Sequence, residues 1–536
     1  MSARTSRRAP AARGWWRRGS GGRGPRRLPG SGPVLVAVPA LLLAGLVLTG
    51  IVLLAPEPVV LGAQRLAAYA IVVAGASVLV SRVGAADLAL AAAVGIGAYG
   101  GGVAPALAGL PSMLGLVTGA GAGAAIGALA GAVHGRLGRV LGALASLAVA
   151  LAVVALLAAW PAGGGVAGFH AVPLPTPWGM RADLLVLGLV LATALAAATA
   201  WSRRRRAALA SLSVRAPEVV LALGHRPAAA TARAGLVAGS LCGLGGVALA
   251  SVTGSVLPDA YGLEMTASLA LAALIGGVAP WGPLVGAAVL WGPSTLWPLA
   301  PVVGTAPPLL VTGPLGVALL AVTRGRALTD LVPRAARATA PDTAADADGT
   351  APPSPAADGS LRISDLPVLG RPVTLHLEAG EVLALTGPNG AGKSTLLAMI
   401  GGQLRDGGCV EIGGRRAPRG PRARARVGVA RSWQRVPTLP AADVRAVAGA
   451  DAAARQAAAW ARTALGGAPE ADGRGQLLLL AAHRPALALL DEPTDVEADR
   501  LLAFVRGLAA GGAAVLLVDH RPEVVAAADR VVELAP

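Results

Sequence analysis

Long apolar runs of Ala, Leu, Val and Gly fill the chain from Pro33 to about Val322, broken only by short polar or Gly/Pro stretches. Several exceed the roughly 18 residues that mark a membrane-crossing helix. They predict ten spans: 33–55, 59–80, 84–107, 112–133, 140–159, 183–201, 232–252, 263–279, 282–300 and 305–322. Around Pro280–Trp281, Gly and Pro also fit a broken or re-entrant helix. Residues 327–360 change character: Ala, Pro, Asp and Thr dominate with little bulky apolar content, which predicts a disordered linker. From 361 onward the apolar runs shorten to strand length and alternate with helical stretches, the pattern of an α/β domain. The expected fold is an α-helical multi-span membrane bundle of about ten spans followed by a C-terminal α/β domain.

Composition agrees. Of 536 residues, 54% are hydrophobic and only 14% charged, too apolar for an ordinary soluble protein. The net charge of +17 sits in short Arg runs beside apolar segments, so it argues for membrane topology and against a nucleic-acid partner. Nine Arg precede residue 30, making 1–32 an Arg-rich cytoplasmic N-terminus. Alternation then places Arg82, Arg136/Arg139, the Arg203–Arg206 run and Arg324/Arg326 inside as well, with Arg65 and Arg181 as exceptions. Ten spans leave both termini and the C-terminal domain cytoplasmic, in a multi-pass protein of the plasma (inner) membrane in contact with lipid. Ser6-Arg7-Arg8 hints at a twin-arginine signal, but the run does not continue, and 33–54 reads as an uncleaved first span. Cys242 and Cys409 lie in different regions and imply neither a disulfide nor a metal site.

The strongest motif is Gly387-Pro388-Asn389-Gly390-Ala391-Gly392-Lys393-Ser394-Thr395. Its glycines let backbone N–H groups converge on phosphate oxygens at a helix N-terminus. Lys393 suits the β- and γ-phosphates, and Ser394 suits Mg²⁺. Val382–Thr386 before it reads as a strand, and Ser394–Ile400 opens a helix. Lys393 is the only lysine in the chain. Further on, the apolar strand Ala486–Leu490 delivers Asp491 and Glu492. Asp491 suits the metal shell, and Glu492 suits orienting or deprotonating an attacking water. Val515–Val518 leads to Asp519-His520, where His520 is placed to touch a γ-phosphate. ATP and Mg²⁺ are therefore the expected cofactors, bound in an α/β phosphate-loop ATPase domain.

This order of phosphate loop, Gln434, Asp491-Glu492-Pro493-Thr494 and Asp519-His520 resembles the ABC ATPases over residues 361–536. The resemblance implies an ABC ATP-binding domain there, with Glu492, His520 and Gln434 catalytic and Ser394, Gln434 and Asp491 around the metal. Val427–Gln434 is similar to the Gly-Ile-Ala-Arg-Thr-Phe-Gln run of branched-chain amino-acid transporter ATPases. Within a transmembrane permease domain expected over 33–326, roughly residues 60 to 322 resemble the permeases of that family. Gly95-Ile96-Gly97-Ala98-Tyr99 is similar to its Phe-Gly-Ile-Gly-Ala-Tyr motif, and Leu274–Gly286 to its Gly-Gly-x-Gly run. Pro258-Asp259 also fits, as does Ser211–Gly224, with Glu218 and Gly224 at coupling-loop positions. The resemblance implies an importer half-unit for a branched apolar amino acid or a related small solute. Its partners would be a second permease, a second ABC ATPase and an extracytoplasmic substrate-binding protein.

Some positions depart from the family. The signature Leu-Ser-Gly-Gly-Gln, which clamps the opposing cassette's ATP, is matched only by Asp472-Gly473-Arg474-Gly475-Gln476. Val368–Val373 offers aliphatics where the family stacks adenine on an aromatic, and the stretch from Gln434 to Asp472 is short for a helical subdomain. Either Asp495 or Asp499 could serve as the dimer-facing Asp. These departures leave a second reading open: a degenerate cassette that binds ATP, gates the permease and relies on a partner for hydrolysis. In the membrane region, Asp87 is either a functional intramembrane acid or a solvated partner of Arg82.

Overall fold

The computed structural model describes residues 54–108, 114–170, 180–295, 308–331, 351–355, 357–407, 409–434, 439–467, 474–493 and 495–534, with side chains at 104–108 and 308–312 left out. The predicted span 33–55 falls almost entirely outside them. Pro56 onward forms one unit. Its membrane region comprises α1 (Glu57–Ser77, extended by a π-helical turn Val78–Val83), α2 (Leu90–Ala108), α3 (Leu114–Ala159) and α4 (Met180–Ser202). Two short helices follow, α5 (Arg205–Arg215) and α6 (Pro217–Ala222). Then come α7 (Pro227–Thr253), α8 (Leu263–Gly276), α9 (Gly282–Thr295), α10 (Pro308–Val322) and the turn α11 (Leu328–Leu331). Beyond α3, β1 (Phe169–His170) pairs antiparallel with β2 (Ser255–Val256), just past α7.

Among the described residues, four helices are long and apolar enough to cross a membrane: Glu57–Val83, Leu114–Ala159, Met180–Ser202 and Pro227–Thr253. The count of about ten is not reached among them, for local reasons. The expected spans 112–133 and 140–159 run together through a kink at Gly138, whose φ is 76°. The expected span 84–107 starts only at Leu90. Gly84, at φ 78°, ends the π-helical turn, and Asp87 Oδ1 accepts from Ala89 N ahead of the helix. The expected spans 263–279 and 282–300 become two helices of 14 residues each, about 21 Å long, joined by the turn at Gly277–Trp281. Each is shorter than the roughly 30 Å of a bilayer core, so the broken-helix reading describes them better.

The long helices pack through glycine. Gly115, Gly119, Gly123, Gly127, Gly131 and Gly135 of α3 recur every fourth residue. Gly115 abuts Gly101 of α2, and the run from Gly119 onward faces α7, whose Gly235, Gly239 and Gly243 keep the same spacing. A Cβ on Gly239 would sit 2.2 Å from Gly123 O, and one on Gly127 would sit 2.1 Å from Gly235 O. This backbone approach supplies close dispersion contact between helices that are apolar enough to cross a membrane.

The segment expected as a linker from 327 opens with order. Ala327 is buried, and Thr329 Oγ1 donates to Gly276 O at 2.7 Å. Positions 332–350 of that segment lie outside the described residues. The C-terminal α/β domain follows. Its antiparallel sheet has the order β4-β3-β6-β7, from β3 (Leu361–Val368), β4 (Arg371–Leu377), β6 (Val410–Ile412) and β7 (Arg415–Arg416). Its parallel sheet has the order β11-β5-β10-β9-β8, from β5 (Val382–Thr386), β8 (Val429–Arg431), β9 (Leu487–Asp491), β10 (Ala514–Val518) and β11 (Arg530–Glu533). Strands β5, β9 and β10 are continuous aliphatic runs, as strands covered on both faces require. Helix α12 (Lys393–Ile400) follows β5, and the short α13 (Pro421–Arg426) follows β7. Helices α14 (Ala441–Ala448), α15 (Ala452–Ala464) and α16 (Gly475–Ala482) form the helical part.

Candidate nucleotide site

Parallel strands bring their carboxyl ends to one edge, and three adjacent strands do so here. Val518 at the end of β10 pairs with Asp491 of β9 on one side and with Leu385 of β5 on the other. The phosphate loop leaves β5 at this edge and feeds α12. Gly392 sits at φ 92°, where a Cβ would also meet Val368 Cγ1 at 2.7 Å, so only glycine closes the loop under the β3–β4 turn. That turn, Val368–Gly370, puts aliphatic side chains against the loop. Lys393 is buried, and its Nζ donates to Gly387 O at 2.6 Å and Pro388 O at 3.0 Å. The ammonium thus holds the loop's own carbonyls.

The sequence candidates converge here. Ser394 Oγ donates to Asp491 Oδ1 at 3.1 Å. Both are hard oxygen donors at the loop's edge, the kind that hold Mg²⁺ together with phosphate oxygens. Glu492, at φ 43°, stands just past β9 with its N–H on Val518 O at 3.0 Å. Its Oε1 lies 2.6 Å from His520 Nε2, and its Oε2 accepts from Gln434 Nε2. Gln434, Glu492 and His520 therefore form one hydrogen-bonded cluster beside Ser394 and Asp491. Gln434 touches Glu492 rather than Ser394 or Asp491. Gly387–Gly392 surround the N-terminus of α12, and Thr395 follows Ser394 in its first turn.

Several contacts here escaped the sequence reading. Arg431, at the end of β8, is buried; its Nη2 donates to Asp491 Oδ2 at 3.0 Å and its Nη1 to Gln403 Oε1 at 3.2 Å. Burial lowers its pKa from the ordinary arginine range, and Asp491 pulls it back up. Gln476 clasps the backbone of Trp433: Trp433 N donates to Gln476 Oε1 at 3.0 Å, and Gln476 Nε2 donates to Trp433 O at 2.9 Å. This ties α16 to the residue before Gln434. Arg521 forks onto Asp519, with Nη2–Oδ2 at 2.6 Å, and its Nη1 reaches Val496 O at 2.6 Å. Arg431 and Gln476 stand inside motif-like runs and Arg521 beside one, but none of these runs names the partner each side chain meets.

Of the signature-like run, Asp472 and Gly473 lie outside the described residues, as does Thr494. Arg474 Nη1 donates to Leu465 O at 2.7 Å, and Gly475 opens α16. In the membrane region Asp87 is buried and does not pair with Arg82, whose guanidinium instead meets Asp443 of the cassette at 2.6 Å.

The predicted coupling stretch meets the cassette directly. Ala208, Leu209, Leu212, Val219 and Val220 of α5 and α6 share one apolar core with Ala430, Val444, Val447 and Leu478. Arg422 Nε donates to Gly224 O at 3.1 Å. Each fully buried Leu or Val contributes up to about 1.5–3 kcal/mol, so this seating is a stable joint.

The model of the ABC transporter family matches residues 371–495. An ABC transporter ATP-binding protein of Streptomyces avermitilis is 41% identical over 191 residues, covering 31% of this chain and 33% of its own length. The chain thus spans about a third of that relative. The lipoprotein-releasing system ATP-binding protein LolD of Novosphingobium aromaticivorans is 34% identical, with 31% of this chain and 86% of LolD covered. The hemin import ATP-binding protein HmuV of Rhodococcus jostii is 36% identical, with 35% and 75% covered. A solved nucleotide-free cassette from an ABC transporter is 17% identical over 33% of this chain and 87% of its own, at a TM-score of 0.29, too low to add to the argument.

Proposed function

Because the chain belongs to the ABC transporter ATP-binding family, whose cassettes use ATP with Mg²⁺, we propose that it is an importer half-unit with permease and ATPase fused in one polypeptide. The observation that carries this reading is the shared core of α5, α6 and the cassette, which joins a stretch between membrane helices to the ATPase. Lys393 and the Gly387–Gly392 loop hold the triphosphate, and Ser394 and Asp491 hold Mg²⁺. Glu492 takes the proton of the attacking water, with His520 and Gln434 holding its two oxygens. The permease runs through the plasma membrane in several passes with both termini cytoplasmic. Its Gly95–Tyr99 and Leu274–Gly286 motifs favour a branched-chain amino acid or a related small solute, delivered by a substrate-binding protein outside.

The Arg474 position favours a second feature, asymmetry. A phosphate loop needs a signature from an opposing cassette, and this chain's own signature has Arg474 where the family has glycine. A second permease–ATPase unit with an intact signature would complete the site on Lys393 and Glu492. The purified chain alone is expected to turn over Mg·ATP slowly, and Glu492→Gln to abolish what turnover there is. A partner subunit is expected to raise the rate. Fast turnover by the single chain, indifferent to Arg474→Gly, refutes the asymmetric reading.

A further inference from the structure

Asp443 lies in α14, nine residues after Gln434, and is 1% exposed. Its Oδ1 meets Arg82 Nη2 at 2.6 Å, and its Oδ2 has no hydrogen-bond partner among the described residues. A carboxylate so buried needs its cation, and that cation comes from the membrane region, 361 positions earlier. Arg82 sits in the π-helical turn Val78–Val83 that ends α1, and its Nε donates to Ser202 O, the last residue of α4, at 3.0 Å. One guanidinium therefore joins the ends of two membrane helices to the cassette helix that follows the Gln434 segment. It does so beside the mainly apolar α5–α6 seating, to which α14 contributes Val444 and Val447. Single-turn π-helices recur at functional positions.

We propose that the Arg82–Asp443 ion pair is a second transmission contact, carrying movement of the Gln434 segment to the ends of α1 and α4. Arg82 and Asp443 are positioning residues; neither touches nucleotide. The proposal rests on the reading that ATP drives the fused permease. Its mechanical logic is a rigid, directional link beside a greasy one. The apolar seating resists separation, whereas a buried ion pair with one satisfied oxygen resists sliding, because any displacement leaves a charge without its partner.

A crevice next to this junction supplies the readout. Val78, Ser202 and Val278 line it together, and Val278 is 43% exposed. The full chain, carrying Cys409→Ser and Val278→Cys, is placed in lipid nanodiscs, and its maleimide labelling rate is measured with and without Mg·ATP. Binding of a fluorescent ATP analogue is measured on the same samples. The parent is expected to label at different rates in the two conditions. Asp443→Asn and Arg82→Gln are expected to lose that difference while keeping the parent's nucleotide affinity. The charge swap Arg82→Asp with Asp443→Arg is expected to restore it, which a merely structural role would not require. Arg82→Lys keeps the charge with a poorer reach; it covers the case in which neutralisation prevents folding, and a reduced difference is expected. Single variants that keep the parent's difference overturn the proposal, as does a swap no better than the singles when all run monodisperse. A parent that binds nucleotide but never changes its labelling also overturns it. Failure to bind nucleotide at all appears in the binding arm and counts against the reading of the cassette instead.

Discussion

Arg424 is a fully buried guanidinium that closes the far end of the phosphate-loop helix. It lies in α13 and is 2% exposed. Nη1 donates to Met399 O and to Ile400 O, the latter at 2.5 Å; these are the last two residues of α12. Nε donates to Pro418 O at 3.0 Å, and Nη2 pairs with Asp406 Oδ2 at 2.5 Å. A cation at a helix C-terminus meets both the unpaired carbonyls and the negative end of the dipole. Arg424→Ala removes all of this and takes from the buried Asp406 carboxylate, 9% exposed, its guanidinium partner. Breaking a buried pair from one side costs about 3–5 kcal/mol. At about 2–4 °C per kcal/mol for a domain of this size, the cassette's thermal midpoint should fall by roughly 6–20 °C. The assay is differential scanning of the full chain, with the cassette transition identified as the one that Mg·ATP raises. Arg424→Met with Asp406→Asn should recover part of the loss, because the buried carboxylate no longer carries a charge without its guanidinium. A fall of less than about 2 °C for Arg424→Ala would show that the fork contributes little net stability and that the reasoning from buried charge is wrong here.

Other outcomes follow from the same physics. Lys393→Ala should weaken Mg·ATP binding by about one to two decades, the worth of a charged hydrogen bond, as read by nucleotide titration; equal affinity sinks the phosphate-loop assignment. Gly239→Leu should abolish a monodisperse peak in size exclusion, since its Cβ would lie 2.2 Å from Gly123 O, while Gly121→Ala, with nothing within 4 Å, should behave as wild type. His225 and His483, near the seat of α5 and α6 on the cassette, have pKa values lowered from 6.5, chiefly by burial. A histidine with a depressed folded pKa contributes fully above its unfolded value and loses that contribution as pH falls through the folded one. The cassette transition should therefore soften as pH drops below 6.5, and His483→Gln should flatten that slope in pH-dependent scans.

The phosphate loop was legible because its chemistry lies in consecutive residues, and the strand, loop and helix around Lys393 are set by local pattern. Asp491-Glu492 and His520 were legible for a similar reason: each stands at the end of a continuous aliphatic strand, and parallel pairing brings those ends to one edge. What stayed hidden needs two distant segments to be known together. Arg82 read as a topogenic charge, and nothing near it names Asp443 as its partner. Arg431 and Gln476 stand inside motif-like runs, yet only folding puts them on Asp491 and Trp433. The span count departs from the helices where hydropathy cannot see geometry. Gly138 between Arg136 and Arg139 looked like a loop yet only kinks one helix, and the runs at 263–279 and 282–300 are apolar enough but are shortened by the turn between them.

The glycine seam between Leu114–Ala159 and Pro227–Thr253 has a consequence at the level of the gene. Every glycine codon begins with two guanines, and any missense change in either letter installs a residue that carries a Cβ. At Gly123, Gly127, Gly235 and Gly239 that carbon would fall 1.9–2.3 Å from a carbonyl oxygen of the opposing helix. These codons have no mild missense neighbours, not even alanine; only their third letters are free to drift. Elsewhere in the membrane region an Ala, Val or Leu codon on an exposed helix face can move to another apolar residue in one step. In coding DNA sampled from many strains, the seam should therefore stand out as two ladders of codons, four apart, whose first two bases never vary and whose third does.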